Sequence, residues 1–151
     1  MNLPATTETP PQAREIGRID PERLASLLQD KEELALIDVR ETGAFARQHI
    51  LYAVSVPLWR IELLIRRKVP RKQTRIVITD DHGLLASEAA RLLDRLGYSN
   101  IAILDGGIAA WERSGLEVFS GENVPSKAFG EIVEVEANTP HISARQWHDR
   151  I

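Results

Sequence analysis

Cysteine is missing from all 151 residues. That single absence excludes disulfides, thiolate metal sites and any thiol nucleophile within this chain. A dominant charge is missing too. Nineteen basic against 22 acidic side chains leave a formal net charge of −3, which gives no reason to expect nucleic acid or an anionic membrane as partner. No apolar run approaches the ~18 residues a membrane span needs. The opening MNLPATTETPPQ has neither the basic n-region nor the apolar h-region of a secretory signal. A cytoplasmic location is therefore expected. Hydrophobic content of 43% and charged content of 27% are ordinary for a soluble globular domain.

What is present is organised around Arg75 to Tyr98. Ile76, Val77 and Ile78 form a short apolar run, as a strand buried on both faces does. Polarity then flips at Asp80, Asp81, His82 and Gly83. Beyond them Ala86, Ala89, Ala90, Leu93 and Leu96 recur at spacings of three and four, one face of an amphipathic helix that stops at Gly97. The unit is strand, polar loop, helix. In α/β domains the loop leaving the carboxyl end of a strand is where ligands bind.

The remaining chain repeats this alternation. Residues 1–13 read as a flexible leader. Ile16–Ile19 predicts a strand, and Asp20-Pro21 a helix start with Leu24, Leu27 and Leu28 on its buried face. Leu34–Val39, Ala53–Val56 and Ile101–Leu104 predict further strands. Thr42–Arg47 predicts a short helix, Leu58, Ile61, Leu64 and Ile65 a helical stripe, and Ile108–Arg113 a last helix. Strands alternating with helices predict a three-layer α/β domain, with a mainly parallel sheet of about five strands covered on both faces. The domain is expected over 14–119 and a linker over 120–140. His141-Ile142-Ser143-Ala144-Arg145-Gln146-Trp147 echoes the layout of the opening strand and helix start, so 141–151 is expected to begin a second, similar domain.

Three constellations invite chemistry. Asp38, Asp80, Asp81 and Asp105 all follow predicted strand ends, which share one edge of a parallel sheet. They could converge on Mg²⁺ in a metal-assisted hydrolase or a phospho-acceptor with Asp80 as nucleophile. The simpler roles are that Asp38 pairs with Arg40 or caps its loop, and that Asp105 braces the Gly106-Gly107 turn. The basic run Arg60, Arg66, Arg67, Lys68, Arg71 and Lys72 reads as a solvated helix face, or with the loop as an anion sensor. Gly106-Gly107 lacks the Lys-Ser/Thr of a phosphate loop and reads as a tight turn; Trp111 sits at core spacing. His82 has no identified partner.

The sequence resembles the rhodanese-like (sulfurtransferase) domains. Asp38-Val39-Arg40-Glu41, Phe45, His49-Ile50, Ala53 and Pro57 resemble that family's "DVRE…F…GHI.GA…P" segment. Gly97-Tyr98, Leu104 to Gly107, Trp111 and Gly115 resemble its "GY…v..L.GG…W...G" segment. Gln48 and Tyr52 stand where that pattern has glycine. The family's active loop reads roughly "C-x-x-G-x-R-S-x-x-A-A". Laid on Asp80, Asp81, His82, Gly83, Leu84, Leu85 and Ala86, it puts its cysteine at Asp80 and its Arg and Ser at Leu85 and Ala86.

The resemblance implies a rhodanese-like fold without cofactor or metal. It also implies a segment similar to the first, cysteine-less domain of bacterial proteins that string several such domains together. In the family a thiolate takes sulfur from a donor, and loop N–H groups and the helix N-terminus stabilise the anion. A carboxylate oxygen is too hard to replace it, so no catalytic residue is assigned. Asp80 would instead accept the loop's N–H bonds, worth about 0.5–2 kcal/mol at the helix start. The implied role is interaction or scaffolding beside other rhodanese-like domains of the same polypeptide, a role that also admits homo-oligomers.

Overall fold

The computed structural model describes residues 15–121. The leader, most of the expected linker and the expected second-domain start at 141–151 lie outside the described residues. Five strands, β1 (Gly17–Ile19), β2 (Leu34–Asp38), β3 (Val54–Ser55), β4 (Arg75–Thr79) and β5 (Ile101–Leu104), form one sheet in the order β1-β5-β4-β2-β3. Every pairing is parallel. The helices are α1 (Pro21–Gln29), α2 (Thr42–Arg47), α3 (Ile61–Lys68), α4 (Leu84–Arg95) and α5 (Gly107–Arg113). The expected three-layer parallel architecture is thus the observed one.

Side-chain alternation builds the layers. On β4, Ile76 and Ile78 join a core with Ile61 and Ile65 of α3 and Ala86, Ala89, Ala90 and Leu93 of α4. Val77 points the other way, into a core with Leu24 of α1 and Ile108 and Trp111 of α5. The alanines of α4 are all fully buried, so the helix lies close against the sheet. Asp20 caps α1 as its sequence suggests, accepting from the Arg23 N–H at 2.7 Å, with Pro21 in the first turn.

Two elements differ from expectation. The stripe beginning at Leu58 is not one helix: Leu58–Arg60 is a 3-10 turn, and α3 starts at Ile61. Arg60, at φ −108° and ψ 2°, breaks the α geometry between them. β3 is only two residues long, an edge strand held by β2 alone. After α5 the chain stays on the same face, with Leu116 and Val118 in the core of Ile108 and Trp111, and Phe119 and His49 exchange backbone hydrogen bonds of 2.8 Å.

Candidate functional site

All strands being parallel, the segments after β2, β4 and β5 emerge on one edge. β2 and β4 run in register, with Asp38, the last residue of β2, opposite Thr79, the residue before Asp80. Asp80 follows β4 and is 2% exposed. Its Oδ1 accepts the Gly83 N–H, and its Oδ2 accepts the Ala86 N–H at 3.0 Å. Gly83 has φ +97°, a left-handed turn that aims the first amides of α4 back at the loop. The Asp80 carboxylate therefore fills the N-terminus of α4 from three residues before the cap position.

The loop backbone is gripped from the other side by α5. The N–H groups of Ile108 and Ala109 donate to the carbonyls of Asp80 and Asp81, at 2.8 and 3.2 Å. Gly107 makes that approach feasible. At φ +59°, a Cβ there would overlap the Asp80 carbonyl oxygen and lie 2.8 Å from that of Asp81. Two helix N-termini thus meet on one dipeptide. The Gly-Gly turn is tight, as expected, and the close approach explains the second glycine.

Arg40 is the other organiser, 3% exposed. Its Nε and Nη2 fork onto Asp38, with Nη2 to Oδ2 at 2.7 Å. Its Nη2 also donates to the Gln48 carbonyl at 2.6 Å, and its Nη1 to Asp81 Oδ1 at 2.9 Å. Burial works against its charge, but the hydrogen bonds and charges of Asp38 and then Asp81 outweigh burial and hold its proton more tightly than usual. One guanidinium therefore ties the end of β2, the α2 exit and the loop after β4 together.

The four carboxylates of the expected acidic edge do not share a centre. Both oxygens of Asp38 face Arg40, and Asp80 faces backbone amides. Asp81, 60% exposed at its side chain, is drawn to Arg40. Asp105 does not brace the glycine turn with its side chain; it pairs with Arg18 at 3.1 Å in the open. Among the described residues no group of three acidic or histidine side chains is placed to hold a metal ion. The physical reason is that each carboxylate has a nearer donor than its neighbours' shared space.

Other expected site residues are dispersed. His82, Leu84 and Leu85 are exposed, whereas Ala86 is buried. The basic run is split: Arg71 pairs with Glu33, and the Lys72 ammonium lies 3.8 Å from the Tyr98 ring centroid. Arg66, Arg67 and Lys68 remain exposed on the last turn of α3. Arg18 was not foreseen. From β1 it reaches Asp105 and the Ser87 hydroxyl at 3.2 Å, beside Gly83. Partners 69 and 87 positions apart leave no local signal.

Of the two positions where the family pattern has glycine, Gln48 has extended backbone, φ −161°. Tyr52 instead carries φ +69° with a 59% exposed ring. Only the second needs a left-handed residue.

The model of the rhodanese-like domain matches residues 20–114. A sulfurtransferase of Allochromatium vinosum is 33% identical over 107 residues, 71% of this chain and 98% of that protein. A thiosulfate sulfurtransferase of Pseudomonas putida is 33% identical over 97 residues, 64% of this chain and 86% of its own. The crystal structure of a thiosulfate sulfurtransferase from Pseudomonas aeruginosa superposes with a TM-score of 0.84 at 46% identity. It covers 89% of this chain, which spans 26% of the Pseudomonas aeruginosa chain. Among the described residues no helix is long and apolar enough to cross a membrane.

Proposed function

The chain belongs to the rhodanese-like domain family, and from that premise we propose that it is a non-catalytic member, an interaction or scaffold module within a larger sulfurtransferase. Relay of sulfur requires an atom that attacks sulfur and releases it again. A thiolate does both; a carboxylate oxygen is a poor nucleophile toward sulfur, and these 151 residues contain no cysteine. The observation that carries this function is the Asp80 carboxylate seated on the Gly83 and Ala86 amides. Those donors are the ones an anionic sulfur at residue 80 would need.

Other rhodanese-like domains of the same polypeptide are the proposed partners. The support is that this chain matches 26% of the Pseudomonas aeruginosa thiosulfate sulfurtransferase, which has length for further units. The proposed setting is the cytoplasm, where thiol carriers are kept reduced. The test is the purified chain with thiosulfate and cyanide, beside a cysteine-bearing rhodanese as positive control. Thiocyanate should form no faster than without protein. Turnover above that background would end the non-catalytic assignment.

A further inference from the structure

Four large apolar side chains stand in solvent on two adjoining elements. Trp59 is 72% exposed and Leu63 70%, one helical turn apart where the chain enters α3. Leu84 is 83% and Leu85 41% exposed, on the first turn of α4. Between the two elements runs an open groove of about 530 Å³, walled by Trp59 and Leu85. Of the four only Trp59 and Leu85 line it, together with Val39, Leu58 and Leu92, and an apolar groove with a polar rim marks an interaction surface.

The rim has a sign. Glu41, Glu62 and Glu88 line the groove, against Arg95 as its one cation. Just outside that lining the Arg60 guanidinium stacks on the Trp59 ring, 5.3 Å from its centroid, so one negative charge is left uncompensated. Among the described residues none of these three glutamates enters an ion pair. Glu41 accepts a long hydrogen bond from the Trp59 indole at 3.4 Å, which orients the ring as a wall.

We propose that this groove docks a segment of another domain of the same polypeptide, one in which a leucine-like side chain is flanked by lysines or arginines. The apolar side chain enters between Trp59 and Leu85, and the cationic flanks meet Glu62 and Glu88. Opposite charge supplies orientation and association rate, and the desolvated centre supplies residence. The groove adjoins the site loop, since Leu84 and Leu85 follow Gly83 directly. Docking here rests on the interaction role proposed above and names its surface.

The probe is a short fluorescein-labelled peptide of alternating leucine and lysine or arginine. One control peptide has its leucines replaced by serine, the other its basic residues by glutamate. Anisotropy titration of the intact chain should show saturable binding of the first peptide, at least about tenfold tighter than either control. Glu62→Lys with Glu88→Lys, and separately Leu85→Asp, should each weaken it about tenfold or more, with circular dichroism confirming unchanged folding. Added salt should weaken it as well. Equal affinity for all three peptides, or indifference to both variants, would overturn the assignment. A concentration-dependent dimer in sedimentation that Leu85→Asp abolishes would also overturn it, giving the groove to a second copy. The thiocyanate assay on the same preparation separates the two ideas. Sulfur turnover with groove binding sinks the non-catalytic role alone; silence in both assays sinks the groove alone.

Discussion

Removing the Asp80 carboxylate is the most direct perturbation of this molecule. Asp80→Ala deletes two charge-assisted hydrogen bonds, to the Gly83 and Ala86 amides. Bonds to a charged group contribute about 1.5–3 kcal/mol each, or about 3–6 kcal/mol for the pair. Part of that is returned, because the buried carboxylate no longer has to be desolvated. A net loss of about 2–4 kcal/mol is expected. In a domain of this size each kcal/mol lowers Tm by about 4–8 °C, so the drop should be roughly 8–32 °C. Asp80→Asn keeps the shape and one acceptor oxygen but turns an amide donor toward a second N–H. It should lose about half as much. Urea unfolding followed by circular dichroism at pH 7 gives the order wild type, Asn, Ala. Hydrogen exchange at Gly83 and Ala86 should accelerate in that order too. An Ala variant within about 0.5 kcal/mol of wild type, with α4 amides equally protected, would refute the capping role outright.

Three further outcomes follow from the same geometry. Arg40→Met strands the fully buried Asp38 carboxylate and should cost about 3–5 kcal/mol in urea unfolding; adding Asp38→Asn should recover part of it, and a loss under 1 kcal/mol would contradict the latch. Tyr52→Gly relieves a left-handed backbone worth about 1–2 kcal/mol, against about 0.5–1 kcal/mol of added chain entropy, so Tm should rise by a few degrees, whereas Gln48→Gly, at an extended position, should give no gain. Asp30 is held at about 2, below its ordinary 3.8, chiefly by hydrogen bonds from Arg75 and the Glu32 N–H. A depressed folded-state value means stability that is present above 3.8 and is lost as pH falls toward 2. Asp30→Asn should flatten that part of an acid titration of stability, and an unchanged acid limb would exclude the pair as its source.

The fold was legible where periodicity was strong and local. The Ile76–Ile78 run and the alanine face of α4 declare a buried strand and a close-packed helix, and Thr42–Arg47 and Ile101–Leu104 appear within the bounds read from the chain. The break at Arg60 was not legible, because the apolar spacing of Leu58 and Ile61 suits a 3-10 turn as well as a helix. The site was legible at Asp80 and its neighbours as a stretch of chain. Its wiring was not: whether Asp105 turned to the glycines or to Arg18 depends on a strand pairing more than eighty residues away. The supposed acidic edge misled for the same reason. Sequence shows that carboxylates emerge side by side, not which donor reaches each first.

The sheet order also has a consequence for the nascent chain. β1 bonds only to β5, and Gly17 faces Ala102, 85 positions later (102 − 17). Among the described residues no hairpin joins neighbouring strands of the sheet, so that first strand has nothing there to zip onto until the fifth leaves the ribosome. At ~5–20 residues per second the delay is on the order of 4–17 s. Throughout it, Leu24 of α1 lacks the Leu104 and Trp111 that complete its core. Translation pauses ahead of residue 101, or truncations there, would therefore leave the opening strand and helix exposed to chaperones while β2 and β4 could already be joined.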